Sequence, residues 1–147
     1  MSNSIGNAVD MVKEFHLAFN HPSPNELTKL SFKRKLTRTK WIKEEINEFL
    51  EAKSIAEEVD AIADAIYFLC GCIVEMGITG EQFSNIFQMV QDANMQKLFP
   101  DGKPHYNSDN KVIKPDGWVA PNERIKEYIN GIIKNNSNQL RLLLEEN

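Results

Sequence analysis

Apolar residues recur along most of this chain at helical spacing. Val9, Val12, His16 and Phe19 stand three to four residues apart and predict an amphipathic helix over about 7–19. His16 lies on that stripe and reads as a core histidine rather than a ligand. The run His21-Pro22-Ser23-Pro24-Asn25 breaks the helix. A long second helix is predicted over about 25–52. A third follows over about 55–76, with Val59, Ile62, Ala63, Ile66, Cys70 and Ile73 as its core stripe. Gly77 is a suitable stop. Thr79 or Gly80 opens a fourth helix to about Leu98, with Phe83, Phe87 and Val90 turned inward, and Pro100 ends it. Residues 100–121, rich in Pro, Gly, Asn and Asp, read as a long loop of the kind that often carries function. A fifth helix is predicted over about 122–134, then a polar linker over 135–138. The tail from Leu140 to Glu146 would form a short helix or pack on a partner. No segment alternates as a strand does. The expected fold is all-α: a four-helix core bundle with an additional C-terminal helix and a long loop before it. Residues 1–134 would form the domain and 135–147 a tail.

Composition changes this picture little. The 147 residues are 41% hydrophobic and 26% charged, ordinary values for one globular domain. A net charge of −4 argues against a general nucleic-acid partner. The longest apolar run, Ala65 to Val74, is too short to span a bilayer, and Met1 to Asp10 lacks the pattern of a signal peptide. Cys70 and Cys72 are too close on one helix to form a disulfide, which implies a reducing compartment, the cytoplasm. They read as two small buried residues rather than metal ligands.

The distribution of charge is more informative. From Lys29 to Lys43 there are seven basic residues and no acid; from Glu44 to Asp64 there are eight acids and a single base, Lys53. At 100° per residue, Glu44, Glu48 and Glu51 share an arc of about 60°, with Glu45 at its edge; Glu57, Asp60 and Asp64 share a similar arc on the next helix. A short link near Lys53-Ser54 makes the two helices antiparallel neighbours, so their carboxylate faces can converge. Clustered carboxylates repel, and a hard dication with oxygen ligands relieves that. A solvated acidic surface is the plain alternative. Asp60 and Asp64 sit in a run so apolar that the helix is expected to be buried on most sides, which asks for a partner. The basic block, Arg38 in particular, would then hold phosphate beside the cation. On the fourth helix Asn94 and Lys97 continue the inward stripe with polar groups. A nucleotide would satisfy them, Asn94 taking base or sugar and Lys97 phosphate. Lys103 and Lys114, on the long loop, are further candidates for the β and γ phosphates. Trp118 reads as an anchor for that loop.

The order of these features resembles the MazG-like all-α nucleoside triphosphate pyrophosphatases, whose relatives include dimeric dUTPases and phosphoribosyl-ATP pyrophosphohydrolase. The residues Glu44-Glu45-Ile46-Asn47-Glu48 match the first half of that family's metal motif. The segments Asp64–Gly71, Met76–Ile78, Ala93–Lys97 and Asp109–Trp118 look most like a subgroup with a bacterial dUTP-hydrolysing member; the phosphoribosyl-ATP branch is resembled less. The likeness covers about 7–129. It implies a homodimer or homotetramer, Mg²⁺ (or Mn²⁺) at a carboxylate centre, and hydrolysis of a nucleoside triphosphate, such as dUTP or dGTP, to monophosphate and pyrophosphate. By match, Glu45, Glu48 and Asp64 are metal ligands and Glu44 orients or deprotonates the attacking water. Tyr67, inside a matching segment, is assigned to substrate. The family's second motif is Glu-x-x-Asp, whereas Ala61 stands where its Glu belongs. Asp60, a turn from Asp64, is expected to supply the missing oxygen; the alternative is that Glu57-Glu58-Val59-Asp60 is the motif, shifted by four, although the match of the segment around Tyr67 favours Asp64.

A di-iron bundle is excluded, since none of His16, His21 and His105 follows a Glu by three. The alternative from another class is a non-catalytic helical interaction module with a solvated acidic face.

Overall fold

In a computed structural model the described residues are 4–146. The first three positions of the segment read as lacking a signal peptide, and the last residue of the tail, lie outside them. The described residues form five helices and no strand: α1 (Ile5–Ala18), α2 (Phe32–Glu51), α3 (Ile55–Glu75), α4 (Gly80–Met95) and α5 (Asn122–Glu145). The all-α class is as expected. The chain falls into two compact units, Met1–Ser84 and Asn85–Asn147, with α4 running through the division. No single helix is long and apolar enough to cross a membrane.

In the first unit α3 is central. α1 packs on one side of it and α2 on another. Val9 and Val12 of α1 meet Cys70 and Val74 of α3 in the core, with Ile5, Ala8, Ile73 and Phe83 against them. The stripe expected on α3 is partly rotated. Val59, Ile62 and Ile66 are exposed, and the buried positions are Ala61, Ala65, Cys70, Gly71 and Val74. α3 is apolar almost all round, so periodicity does not choose its inward arc. Small residues do, because they let a neighbouring helix approach closely. Phe19 and Phe87, also expected inside, are exposed.

Helix α2 begins at Phe32, seven residues later than expected. Ser31 caps it, its Oγ accepting from the Arg34 amide at 3.2 Å. The preceding segment is used elsewhere: the Thr28 amide donates to the Met76 carbonyl at 2.9 Å. Met76 ends α3 in a Schellman turn, with Gly77 N–H on the Val74 carbonyl (3.0 Å) and Ile78 N–H on that of Ile73 (3.3 Å). Gly77 has φ +70°, and a Cβ there would lie 2.6 Å from the Glu26 carbonyl carbon, so only glycine fits. Capping boxes open α3 (Ser54 with Glu57) and α4 (Thr79 with Gln82).

In the second unit α5 is one unbroken helix through residues 135–138, where a linker was expected. Ser137 Oγ donates back to the Ile133 carbonyl at 3.0 Å, which accommodates the polar run within the helix. The long loop is ordered by local bonds. Phe99 stacks on His105 with centroids 3.9 Å apart, and Tyr106 bridges Val112. The Asn107 side chain accepts from the amides of Asp109 and Lys111, both at 3.0 Å.

His16 is the core histidine the sequence predicts, 3% exposed, with Nδ1 2.8 Å from the Pro22 carbonyl. Burial pushes its pKa below 6.5, more than the Pro22 hydrogen bond raises it, and Arg38 adds to the lowering. The folded state therefore favours the neutral ring. That stabilisation is fully present above pH 6.5, the unfolded value, and is lost as pH falls below it toward the folded pKa. Urea midpoints of the wild type should fall between pH 7.5 and 5.5 more steeply than those of His16→Gln; equal slopes would contradict this.

Candidate carboxylate site

The acidic face is built where α2 and α3 run side by side toward their short link. Glu45 is its innermost member. It is half-buried, and its Oε2 is sealed from solvent without a hydrogen-bond partner. Burial raises the Glu45 pKa, and the charges of Glu48, Asp64, Glu44 and Asp60 raise it further. The four other acids predicted to form the centre therefore lie near enough for their charges to act on this one carboxyl. Glu44, Glu48, Asp60 and Asp64 are exposed. The expectation that the two aspartates lie on a helix buried on most sides is thus corrected: they occupy an exposed arc of α3. A cleft of about 370 Å³ continues the face toward the helix link, lined by Glu48, Glu51, Ala52, Lys53, Glu57 and Asp60. Glu57 has a separate duty, its Oε2 accepting from the amides of Lys53 (2.7 Å) and Ser54 (3.2 Å). That commits one of its two carboxylate oxygens, and a Ser-x-x-Glu signature before the apolar run could have revealed it.

Among the described residues no three His, Cys, Asp or Glu side chains stand in metal-ligating geometry. The donor set nevertheless suits a hard dication. Among the described residues these five carboxylates have no ion-pair partner except Lys40, 4.0 Å from Glu44, and one inward oxygen lacks a hydrogen-bond partner. A cation at Glu45 would supply what that oxygen lacks.

Arg38 is placed differently from its expected phosphate role. It is 3% exposed and committed to α3: Nη2 donates to the Phe68 carbonyl, and Nη1 lies 3.7 Å from Glu75 Oε1. Glu75, whose side chain is 1% exposed, also takes a forked contact from Arg34. Sequence reading missed this cluster, although a lone acid at the end of an apolar helix is a signal for one. Tyr67 packs edge-on against Phe15 (centroids 5.8 Å apart) and lines an apolar recess of about 270 Å³ with Ala8, Met11 and Ile66.

The remaining predicted residues belong to the second unit. Asn94 is exposed rather than inward, and Lys97 half-buried; Lys97 Nζ donates to Asn94 Oδ1 at 2.8 Å. Their stripe turns to solvent at the end of α4, so they satisfy each other. Trp118 anchors the loop as expected, its Nε1 donating to the Ala93 carbonyl at 2.7 Å. Lys97 and Lys114 lie over its ring, 5.3 and 4.5 Å from the centroid. Lys103 is exposed, its amide bonded to Asp101.

A family model described as phosphoribosyl-ATP pyrophosphohydrolase matches residues 12–94. No curated protein matches the chain. A crystal structure from Exiguobacterium sp. 255-15, provisionally described as an NTP pyrophosphohydrolase, is similar at 28% identity and a TM-score of 0.49. The likeness covers 88% of this chain and 98% of that one.

Proposed function

Since the chain belongs to the phosphoribosyl-ATP pyrophosphohydrolase family and is thereby a nucleotide pyrophosphohydrolase, we propose that it cleaves a nucleoside triphosphate between the α and β phosphates, releasing the monophosphate and pyrophosphate. The observation that carries the reading is the Glu45 carboxyl, inward, unpartnered at one oxygen and surrounded by Glu44, Glu48, Asp60 and Asp64. Glu45, Glu48, Asp60 and Asp64 would hold Mg²⁺ or Mn²⁺. When bound, such a cation neutralises the phosphates and lowers the pKa of water. Glu44 is exposed at the rim of the face, where its carboxylate can orient the attacking water and accept its proton. Asp60 takes the place that Ala61 leaves empty, since an alanine methyl ligates nothing.

The substrate reading is a deoxynucleoside triphosphate, dUTP or dGTP, supported by the segments in which the sequence resembles the dUTP-hydrolysing subgroup. The family match favours a second substrate, phosphoribosyl-ATP, because its description names that branch. The reading includes a homodimer or homotetramer in the cytoplasm. The exposed row Val59, Ile62, Ile66 and Leu69 on α3 and the free thiols of Cys70 and Cys72 support it. Pyrophosphate and orthophosphate release should be followed with dUTP, dGTP, the other nucleoside triphosphates and phosphoribosyl-ATP, each with Mg²⁺, Mn²⁺ or chelator. Metal-dependent pyrophosphate from a deoxynucleotide is expected. Release from phosphoribosyl-ATP alone selects the second substrate, and orthophosphate from any of them refutes α–β cleavage.

A further inference from the structure

The seam between α2 and α3 has one register along its length. On α2, Arg34, Arg38, Trp41, Glu45 and Glu48 are three or four residues apart and share an arc of about 80° at 100° per residue. On α3, Glu75, Gly71, Phe68, Asp64 and Asp60 do the same in the opposite direction. Each rung has a contact or a field effect across it. Arg34 Nε donates to both Glu75 oxygens at 3.1 and 3.0 Å. Arg38 bonds the Phe68 carbonyl and lies against Gly71, where a Cβ would stand 2.9 Å from its Cζ. The Trp41 and Phe68 rings are 5.8 Å apart, with the Arg34 and Arg38 guanidiniums 5.2 and 5.3 Å from the Trp41 centroid. The last rungs are the carboxylates, Asp64 and Asp60 acting on Glu45.

The two ends of the seam are opposite in kind. At one end two guanidiniums enclose one buried carboxylate; at the other, carboxylates face carboxylates and push the helices apart. Apolar contact alone tolerates sliding, whereas a buried ion cluster is satisfied in one register only. Gly71 adds a notch that receives the Arg38 guanidinium. A slip of one residue would turn Glu45 by about 100° away from Asp64.

We infer that Arg34, Arg38 and Glu75 are positioning residues for the carboxylate face, fixing the register of α2 on α3 so that Glu45 and Glu48 meet Asp60 and Asp64. From Arg34 to Glu45 is about 16 Å along the helix, so the cluster acts through the helix and touches no reacting group. The inference rests on the proposed carboxylate centre.

The test uses the full chain with Arg34→Lys, which keeps the charge but loses the fork and, being part-exposed, should fold. Glu75→Asp, which shortens the anion by one methylene, is the second variant. In metal-free protein with chelator, amide chemical shifts should change at Trp41, Glu45 and Asp64 as well as at the altered site. Changes confined to one turn around residues 34 and 75 would overturn the inference. Calorimetric titration with Mg²⁺ should show affinity weakened about tenfold or more, the usual scale for groups that orient ligands. Wild-type affinity in both folded variants would overturn it too. If the wild type takes up no Mg²⁺, the carboxylate-centre reading falls, and the metal-free shifts still decide the register.

Discussion

Glu75→Gln is expected to cost about 3–5 kcal/mol of stability, the range for removing one partner of a buried ion pair. The substitution barely changes shape. It leaves two guanidiniums facing an amide that can receive a hydrogen bond but carries no charge. Arg34, whose side chain is 29% exposed, can turn to water; Arg38, at 4%, cannot. Arg38 Nε already lacks a partner, so no nearby acceptor is free to compensate. A domain of this size has about 5–15 kcal/mol in total, and the melting temperature should fall by roughly 10 °C. Thermal and urea unfolding check this. A change below about 1 kcal/mol would mean that the cluster is solvated.

Glu45→Gln should behave in the opposite way. Pyrophosphate release should drop by on the order of a hundredfold to a thousandfold, the scale on which preorganised charge contributes to phosphoryl chemistry. Stability in chelator should hold or rise. One of five mutually repelling carboxylates is gone, and the amide that replaces it can donate to its neighbours. Steady-state rates and unfolding midpoints on the same preparation separate the two residues: Glu75 holds the fold, while Glu45 strains it for function. Wild-type turnover in Glu45→Gln would remove Glu45 from the centre.

Much of this was legible in the residues themselves. Spacing alone put Glu44, Glu48 and Glu51 on one face and Asp60 and Asp64 on the next, because a helix turns by a fixed angle and a short link makes neighbours of consecutive helices. Five helices and the approximate ends of α1 and α3 follow from the same periodicity and from the stop at Gly77, whereas α4 ends at Met95, short of the expected Leu98. What escaped is tertiary. The start of α2 depends on Thr28 pairing with Met76, across 48 positions. The inward arc of α3 is chosen by Ala61, Ala65 and Gly71, which a search for large apolar residues passes over. Arg38 looked like a phosphate ligand because nothing local reveals that Glu75, at the far end of α3, has claimed it. The polar run at 135–138 looked like a linker because the Ser137 bond to Ile133 is a property of the helix once formed.

The dication proposed for the face around Glu45 should be visible in stability. Melting temperature with Mg²⁺ and with chelator, in the wild type and in Glu45→Gln, tests it most directly. A ligand bound only to the folded state at a hundred times its Kd adds about 2.7 kcal/mol, roughly 5–10 °C here. That rise is expected in the wild type, and its loss in Glu45→Gln. A wild-type melting temperature indifferent to Mg²⁺, or an equal rise in both proteins, would contradict it; indifference is what a solvated acidic face on a non-catalytic interaction module would give.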